Sequence, residues 1–486
     1  MKVLLVQPPW FGTGSDRVFQ PLSLAYLAAS CREKEISDIT IYDGFLRRVK
    51  NNFSPKEAES DLKRILLKDE YDLVGISNPY QAFSDDAIQC ASYIKSIRNI
   101  PIVMGGTHAT VCYKELLKEE HIDYIVIGEG ELTFPGLVKK IEVGNDVKKV
   151  DGLAYKVGEK VFLTKPRELI RDLDAIPFPA RDLLEMNDYF SLESKIWNMR
   201  LPKAAMISSR GCVGQCIYCS AHQVWGGRIW RGRSPKNVVD ELEHLVKKYG
   251  VREIDFEDDQ IATDPRRLEL LCEEILKRNL DIKWKTPAGI GHWSLNKKIL
   301  KLMKKSGYYR ATFGIESATP RIRKFIRKTH DIQQAKEVIN HAHDLGLWTN
   351  ATFIVGFPDE TLEEIMVTYN WFDSSQLDYG NFYLPAVHPG TELHDYFIRN
   401  NLSINPEISK YASISGYKTS YFSEVELRDL VLKLQKNAEA RIIRRFMNPK
   451  NIIRKIHSIE DLKYVIRLIL FYTSSVIRNK LKIQGS

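Results

Sequence analysis

The sequence has few cysteines for its length and no apolar stretch long enough to span a membrane. Seven cysteines occur in 486 residues, and four of them stand alone within apolar segments: Cys31, Cys90, Cys112 and Cys272. An odd, sparse set of this kind indicates a reducing cytoplasm rather than a disulfide framework. The apolar stretch at residues 464–477 contains Arg467 and is shorter than the roughly 20 residues of a transmembrane helix. The first nine residues also lack the pattern of a signal peptide. A cytoplasmic protein is therefore predicted.

Net charge is nearly absent from the body of the chain and is concentrated in its tail. Between Arg441 and Lys482 there are eleven Lys and Arg residues against two acidic ones, which equals the net charge of +9 of the whole chain. Apolar residues alternate with these basic ones. This pattern is typical of a helical cap packed on the preceding domain, or of an interfacial helix that contacts anionic lipid at the inner face of the membrane or covers an apolar substrate. No nucleic-acid partner is predicted, because the tail lacks a recognised binding motif.

The first 141 residues alternate short apolar strands with helical patterns, which predicts an α/β fold with a doubly wound, Rossmann-like parallel sheet. The predicted strands are Lys2–Gln7, Ile39–Tyr42, Leu73–Ser77, Ile102–Met104 and Tyr124–Ile127. The predicted helices are Leu22–Arg32, Pro55–Leu67, Ser84–Ser96 and Tyr113–Glu119. Each strand runs into a turn rich in Gly, Pro, Asn or Asp. Since ligands of such sheets bind outside the carboxyl ends of the strands, these turns are expected to line one site.

Three further segments follow. Residues 142–200 form a predicted connector with a hairpin over Val150–Thr164, residues 201–400 a partial (β/α)₆ barrel, and residues 401–486 a basic helical region. The predicted barrel strands are Ala205–Ser208, Glu253–Phe256, Lys283–Thr286, Ala311–Gly314, Ala351–Val355 and Asn381–Leu384. The predicted barrel helices are Lys236–Tyr249, Pro265–Arg278, Lys297–Ser306, Ile332–Leu345 and Leu362–Ser374.

The strongest chemical signal is the segment just after the first barrel strand. Cys212, Cys216 and Cys219 have the spacing C-x₃-C-x₂-C. Thiolates are the soft ligands of iron–sulfur clusters, and a short loop with three of them holds three corners of a cubane while leaving one iron open. The alternative is a structural zinc knuckle with His222 as the fourth ligand.

With Tyr218 as an aromatic residue before the last cysteine, this segment resembles the signature of the radical S-adenosylmethionine (radical SAM) superfamily. The N-terminal domain is similar to that of the cobalamin-binding, class B methyltransferase-like members. The segments that carry this second resemblance are Gly105–Thr110, Gly128–Glu131, Leu173-Asp174, Pro177–Arg181 and Trp230–Pro235. The resemblance covers most of the chain.

The resemblance implies three cofactors. Cys212, Cys216 and Cys219 would hold a 4Fe-4S cluster. S-adenosylmethionine would be bound by Tyr218, Glu257, Asp258, Glu316 and Gly356, which lie on successive strand ends in the family's order. Cobalamin would be bound by Asn78, Tyr80, Gly105, Gly106, Thr107, Gly128, Glu129 and Gly130.

The chain departs from many cobalamin-binding folds at one motif. It contains no D-x-H-x-x-G, whose His lies below cobalt, and Asp43-Gly44 occupies the corresponding strand end without a His. The turn Asn78-Pro79-Tyr80 is the candidate for the surface that faces the lower side of cobalt. His108 is the alternative polar group.

The function implied is cleavage of S-adenosylmethionine to a 5′-deoxyadenosyl radical, with cobalamin-dependent transfer of a methyl group to an unactivated carbon. An external donor of the flavodoxin or ferredoxin type would supply electrons. The alternatives are a radical cyclase, oxidase or carbon-skeleton enzyme without methyl transfer, and a non-catalytic sensor that binds cobalamin or the cluster. The substrate is expected to be a small or lipid-like apolar molecule, with contacts sought first at His388; no catalytic residue is assigned.

Overall fold

The computed structural model describes residues 1–11, 18–194, 196–402, 404 and 416–483, with side chains as far as residue 472. The chain divides into two compact units. The first contains residues 1–193, 219–233 and 388–391, and the second contains residues 194–218, 234–387 and 392–486. The domain boundaries predicted from the sequence remain predictions.

The first unit is built on one seven-stranded sheet in the order β2-β1-β3-β4-β5-β6-β7. Its strands are β1 (Val3–Gln7), β2 (Ile39–Asp43), β3 (Leu73–Ser77), β4 (Ile102–Gly105), β5 (Tyr124–Val126), β6 (Leu153–Val157) and β7 (Lys160–Leu163). The first five are parallel, and the chain order reverses between β1 and β3. This is the doubly wound arrangement, in which ligands bind at the point of reversal.

Helices cover both faces of this sheet and bury two apolar clusters against it. The helices are α1 (Leu22–Arg32), α2 (Gly44–Asn51), α3 (Pro55–Lys68), α4 (Ser84–Ile97), α5 (Thr107–Val111), α6 (Tyr113–Leu116), α7 (Gly130–Glu142), α8 (Met186–Leu192) and α9 (Ala221–Val224). On one face, Leu24 of α1 and Phe134 of α7 pack with Leu5 of β1. On the other, α3 and α4 pack against β3 and β4. Burial on both faces explains why the parallel strands are almost wholly apolar.

The second unit contains a six-stranded parallel sheet whose strands are neighbours in chain order, as a partial (β/α)₆ barrel requires. Its strands are β8 (Lys203–Met206), β11 (Glu253–Phe256), β12 (Lys283–Thr286), β13 (Tyr308–Glu316), β14 (Trp348–Ile354) and β15 (Tyr379–Tyr383). Two short strands, β9 (Ser209–Arg210) in the second unit and β10 (Arg231–Gly232) in the first, fall between β8 and β11 in the chain.

The helices of the second unit are α10 (Pro235–Tyr249), α11 (Pro265–Lys277), α12 (Lys297–Lys305), α13 (Pro320–Phe325), α14 (Ile332–Asp344), α15 (Leu362–Ser374), α16 (Glu392–Arg399), α17 (Glu424–Phe446), α18 (Pro449–Ile453) and α19 (Ile459–Ile483). Several begin after a side chain that accepts a hydrogen bond from the first turn, such as Ser234, Asp264 and Thr361. Such caps satisfy backbone N–H groups that the helix leaves without partners. No helix among the described residues is long and apolar enough to cross a membrane.

The fold class predicted from the sequence is confirmed, and most element bounds differ by only one to three residues. The predicted hairpin over Val150–Thr164 is present as β6 and β7, and it extends the first sheet by two antiparallel strands. Strand β13 is five residues longer than predicted, because Tyr308, Tyr309 and Arg310 at its start and Ile315 and Glu316 at its end are also part of the strand. Helix α2 was not predicted; Asp43, the buried residue before it, caps its first turn at the N–H of Leu46.

Candidate functional site

The thiol loop follows β9 and packs its own backbone against two of the sulfur atoms. A Cβ atom on Gly214 would lie 3.2 Å from Cys212 Sγ and 3.9 Å from Cys216 Sγ, so a side chain here would crowd Cys212. The N–H of Gly214 donates to Cys212 Sγ over 3.3 Å. All three cysteines of the motif are half-buried, and none forms a disulfide. A sulfur-only donor set with an N–H directed at sulfur fits an iron–sulfur cluster.

The residues before the loop are fixed by two aspartates that follow β11. The carboxylate of Asp258 accepts from Ser208 N over 2.8 Å, from Ser208 Oγ over 2.7 Å and from Ser209 Oγ. The N–H of Gly211 donates to Asp259 Oδ2 over 3.0 Å. Burial raises the pKa of Asp258, and these hydrogen bonds oppose the shift. The predicted S-adenosylmethionine ligand Asp258 is thus positioned as a support for the cluster loop; whether it also contacts the cofactor remains a prediction.

A second carboxylate of this segment, Glu257, points to the same side of β11 as Glu253 and Asp255, because side chains alternate along a strand. Burial, followed by the charge of Asp255, raises its pKa to about 7. The lysines Lys203 and Lys285 lie near it but bond to Asp255 over 2.9 Å each. Glu257 therefore keeps carboxylate oxygens for a cationic ligand, which fits the predicted ammonium of S-adenosylmethionine.

Glu316 ends β13 and forms an ion pair with Lys328, 3.1 Å from Nζ to Oε1. Its backbone has φ of 65°, in the left-handed region that non-glycine residues rarely adopt. Burial lowers the pKa of Lys328, but Glu316 and the thiols of Cys216 and Cys212 more than offset it, and the net shift is upward. The sequence did not indicate Lys328, since nothing local marks a lysine twelve residues after its partner.

The turn after β14 is held from inside the fold by Glu360. Its Oε2 accepts from the N–H groups of Gly356 and Phe357 over 2.7 and 3.1 Å. Gly356 has φ of 87°, and a Cβ there would lie 2.8 Å from Leu427, so glycine is required. The Tyr218 ring lies 6.4 Å from that of Phe357. The second unit thus brings Tyr218 and Gly356 into one region, and Glu360 supports that region.

The first unit contains a cavity of about 220 Å³ at the carboxyl ends of its parallel strands. Six of the eight predicted cobalamin residues line it: Gly105, Gly106, Thr107, Gly128, Glu129 and Gly130. Apolar side chains from the strands and from α1 and α7 form the rest of its wall, including Leu5, Leu27, Ile76 and Phe134. A largely apolar cavity with glycine turns at its mouth fits a large, flat cofactor that needs close approach of the backbone.

The remaining two predicted cobalamin residues do not line this cavity. Asn78 is fully buried, and its Nδ2 donates to Ser84 Oγ over 3.3 Å. Tyr80 is 59% exposed and packs edge-on against Phe83. Gly106 has φ of 120°, and a Cβ there would lie 2.6 Å from the carbonyl oxygen of Asn78. Gly106 therefore packs against the backbone of Asn78, which only glycine can approach so closely, and binding of cobalamin by Asn78 and Tyr80 remains a prediction.

Glu129 forms an ion pair as well as lining the cavity. Its Oε2 lies 2.9 Å from Arg231 Nη1, and both groups are buried. This pair joins two of the segments on which the family resemblance depended. Arg231 itself was missed as a site residue because its partner lies 102 positions away.

His388 lies close enough to His108 in the first unit for its charge to affect the pKa of His108. Burial first, and then His388, lowers the pKa of His108 to about 4, and burial lowers the pKa of His388. Both are therefore neutral imidazoles at pH 7. His388 begins a tight turn in which Thr391 donates back to its carbonyl oxygen. Its predicted contact with substrate remains a prediction.

Comparison with known proteins agrees with this geometry. The profile of the Radical SAM superfamily matches residues 206–372, and that of the B12 binding domain matches residues 15–138. An uncharacterized methyltransferase of Pyrococcus horikoshii is 36% identical over 463 residues, 94% of this chain and 95% of that protein. The anaerobic magnesium-protoporphyrin IX monomethyl ester cyclase of Rubrivivax gelatinosus is 30% identical over 402 residues, 81% of this chain and 69% of that protein.

A solved structure shows the same fold. The radical S-adenosylmethionine methyltransferase TsrM from Kitasatospora setae, with cobalamin and a [4Fe-4S] cluster bound, superposes with a TM-score of 0.74 at 14% identity, over 98% of this chain and all of that one. The chain therefore belongs to the radical SAM enzymes with a cobalamin-binding domain. It is an enzyme of methyltransferase-like type. The cofactors of this family are the three predicted from the sequence: a 4Fe-4S cluster, S-adenosylmethionine and cobalamin.

Proposed function

We propose that this enzyme transfers a methyl group, by way of cobalamin, to an unactivated carbon of an apolar small molecule. The observation that carries the proposal is the presence on one chain of a thiol loop and a large cavity bounded by glycine turns. When bound, the cluster and S-adenosylmethionine supply a 5′-deoxyadenosyl radical, and cobalamin supplies a methyl carrier. The 36% identity to a methyltransferase supports transfer of a methyl group.

The residues of the chain have separate tasks in this proposal. Asp258 and Asp259 hold the cluster loop in place through Ser208, Ser209 and Gly211. Glu257 accepts the ammonium of S-adenosylmethionine, and Glu316, neutralised by Lys328, accepts from its ribose or amino group. Glu360 fixes the turn that lies against the adenine. Fixed positions of this kind exclude water and keep a reactive species near its target.

A radical cyclase without methyl transfer is the second candidate, favoured by the 30% identity to the Rubrivivax gelatinosus cyclase. One experiment separates the two. The protein is reconstituted anaerobically with cluster and cobalamin, reduced by an external flavodoxin or chemical donor, and given labelled S-adenosylmethionine with candidate apolar substrates. Methyl transfer gives both 5′-deoxyadenosine and S-adenosylhomocysteine. Deoxyadenosine alone supports the cyclase, and neither product contradicts both proposals and favours a sensor.

We also propose peripheral contact of the C-terminal region with anionic lipid. Ile459, Leu462, Ile466 and Leu470 of α19 are 64, 36, 46 and 63% exposed, at spacings that place them on one helix face. Exposed Lys463 lies beside them. Flotation with anionic liposomes tests this: wild type should be enriched and Leu470→Glu should not. Lack of enrichment of the wild type on anionic vesicles removes the proposal.

A further inference from the structure

The base of the barrel in the second unit contains an arginine that pairs with no carboxylate of the described residues. Strand β13 has one extra residue relative to β12: Trp284 pairs with Tyr308, while Lys285 pairs with Arg310. Such a bulge turns two successive side chains of the longer strand towards one face of the sheet. Accordingly, Tyr309 bonds to Glu253 over 2.7 Å, and Arg310 lies on the same side as Lys285.

Aromatic rings surround the guanidinium of Arg310. Its Cζ lies 5.3 Å from the ring centre of Tyr379 and 5.8 Å from that of Trp197. Tyr464 and Tyr472 of α19 close the same apolar cluster. Arg310 nevertheless remains half-buried rather than fully enclosed, so a molecule the size of water can reach it. Aromatic faces attract a cation but do not replace the hydrogen bonds that a guanidinium loses on leaving water.

The nearby carboxylates are already paired with other cations. Lys203 and Lys285 both bond to Asp255 over 2.9 Å, and Lys285 also bonds to Glu253. Asp378 at the start of β15 bonds to Lys455 over 2.7 Å. Within the described part of the chain, Arg310 makes no hydrogen bond or ion pair.

A second arginine, Arg467 of α19, also lacks a carboxylate partner among the described residues. Arg467 packs over the ring of Tyr464 at 5.6 Å and donates through Nη2 to the carbonyl oxygens of Asn198 and Met199 over 3.3 and 3.0 Å. Its Nε is buried without a partner among the described residues. The hydroxyl of Tyr379 is likewise buried and has no hydrogen-bond partner there. Two positive charges and a free hydroxyl donor thus converge on one aromatic cluster, and neither arginine forms an ion pair with a carboxylate of the described residues.

We propose that this cluster is a binding site for a small oxyanion, a phosphate or carboxylate, held by Arg310 with support from Arg467 and the Tyr379 hydroxyl. The planar guanidinium presents paired N–H donors that match such oxyanions. The site is separate from the cofactor region, because Arg310 and Glu316 are six strand residues apart, about 20 Å at roughly 3.3 Å per residue. A bound anion would join the barrel to α19. The proposal of this site does not depend on the proposed reaction.

The test measures thermal stability and binding of the full chain, with inorganic phosphate and acetate as probes and chloride at equal ionic strength as control. Wild type should show saturable phosphate or acetate binding near one per chain by calorimetry, and a rise in Tm of about 2–4 °C at saturation. Arg310→Met should show neither. Because Arg310→Met removes an uncompensated charge, its Tm in chloride should equal or exceed that of wild type.

Two further variants keep the test decisive if Arg310→Met fails to fold. Tyr379→Phe retains the aromatic cage and removes only the free hydroxyl, and it should weaken oxyanion binding about tenfold. Arg444→Met removes an exposed cation of α17, whose side chain is 68% exposed, and should leave binding unchanged. Absence of saturable binding in wild type overturns the proposal, as does equal binding in Arg310→Met or Tyr379→Phe.

Discussion

Single buried carboxylates set the charge state of the cofactor region, and Glu360 is the one whose effect is simplest to measure. Burial raises its pKa from 4.5 to about 7, although the N–H groups of Phe357 and Gly356 oppose the shift. The pKa of Glu360 is higher in the folded chain than in the unfolded chain. At pH values between the two, the folded state therefore keeps a proton on Glu360 that the unfolded chain has released. The contribution to stability is complete below pH 4.5 and is lost as the pH rises through about 7.

Glu360→Gln should therefore remove the part of the pH dependence of the unfolding free energy that Glu360 causes. The variant keeps an oxygen acceptor for the two N–H groups but cannot ionise. Relative to the variant, wild type should lose about 1–3 kcal/mol of unfolding free energy between pH 4.5 and 8. Urea unfolding of the apoprotein at several pH values measures this. Glu337→Gln, at an exposed position of α14, is the matched control; an equal change of unfolding free energy with pH in wild type and Glu360→Gln contradicts the assignment.

Asp258 is expected to act on the cluster through the loop that carries the cysteines. Asp258→Asn loses the charge-assisted bonds to Ser208 and Ser209, at a cost of about 2–4 kcal/mol. The iron bound per chain after reconstitution should fall at least about twofold, while circular dichroism remains that of a folded chain. Asp240→Asn, at a partly exposed position of α10, should retain iron. Full iron content in Asp258→Asn argues against this role.

The residues that the sequence predicted lie close together in the chain, whereas those it missed depend on distant parts of the chain. Cys212, Cys216 and Cys219 are within eight positions of one another, so their shared chemistry is visible in the sequence. Lys328, Arg231 and Arg310 owe their importance to partners, or the lack of partners, that only tertiary packing creates. Asn78 was predicted as a cobalamin-binding residue, which remains a prediction, and only packing shows that its side chain is buried and that Gly106 lies against its backbone.

At the scale of elements, the turn between β4 and α5 contains two neighbouring glycines that differ in their tolerance of a side chain. Gly106 needs a positive φ and close approach to Asn78, whereas the nearest atom to a Cβ on Gly105 would be 3.8 Å away. Gly106→Ala should destabilise the chain by about 2–4 kcal/mol and weaken cobalamin binding, while Gly105→Ala should keep wild-type stability. Chemical unfolding and cobalamin absorbance titration measure both. Equal stability and equal cobalamin affinity of the two variants would contradict the requirement for glycine at position 106.

The joint between α17 and α15 depends on one buried arginine. Arg441 donates to the carbonyl oxygens of Asp373, Ser375 and Leu377 at the end of α15, and burial lowers its pKa to about 10. Arg441→Met should leave these carbonyls unsatisfied and cost about 2–5 kcal/mol of unfolding free energy. Arg444→Met, one turn along the same helix, should cost less than about 0.5 kcal/mol. Similar losses in the two variants, measured by urea unfolding, refute the distinction.

Periodicity predicted these elements well because the strands of both sheets, apart from the antiparallel β6 and β7, are parallel and buried, which makes each one a short apolar run between amphipathic helices. The additional residues of β13 could not be predicted, since Arg310 is a charged residue inside a strand. The short helices α9 and α13 were missed because they span only a single turn or slightly more. Helix α2 was missed because its eight residues carry too few apolar positions to show a period.

At the scale of the whole molecule, some of the basic residues of the tail are buried, although its charge alone suggests a solvent-exposed surface. Arg441 and Lys455 are buried among carbonyls and carboxylates of the second unit. Part of the charge that made the tail conspicuous therefore holds the C-terminal helices on the barrel. This supports the interpretation as a helical cap, while the exposed apolar face of α19 supports the separate proposal of lipid contact.

The most direct measurement of the central claim is the dependence of the two products on cobalamin. Anaerobically reconstituted protein is given S-adenosylmethionine with a deuterated methyl group and a turnover substrate, with cobalamin either loaded or omitted. The account predicts S-adenosylhomocysteine and deuterated product only with cobalamin, and loss of 5′-deoxyadenosine in Cys216→Ala. Deuterated product formed equally without cobalamin, or deoxyadenosine formed equally by Cys216→Ala, would contradict the account.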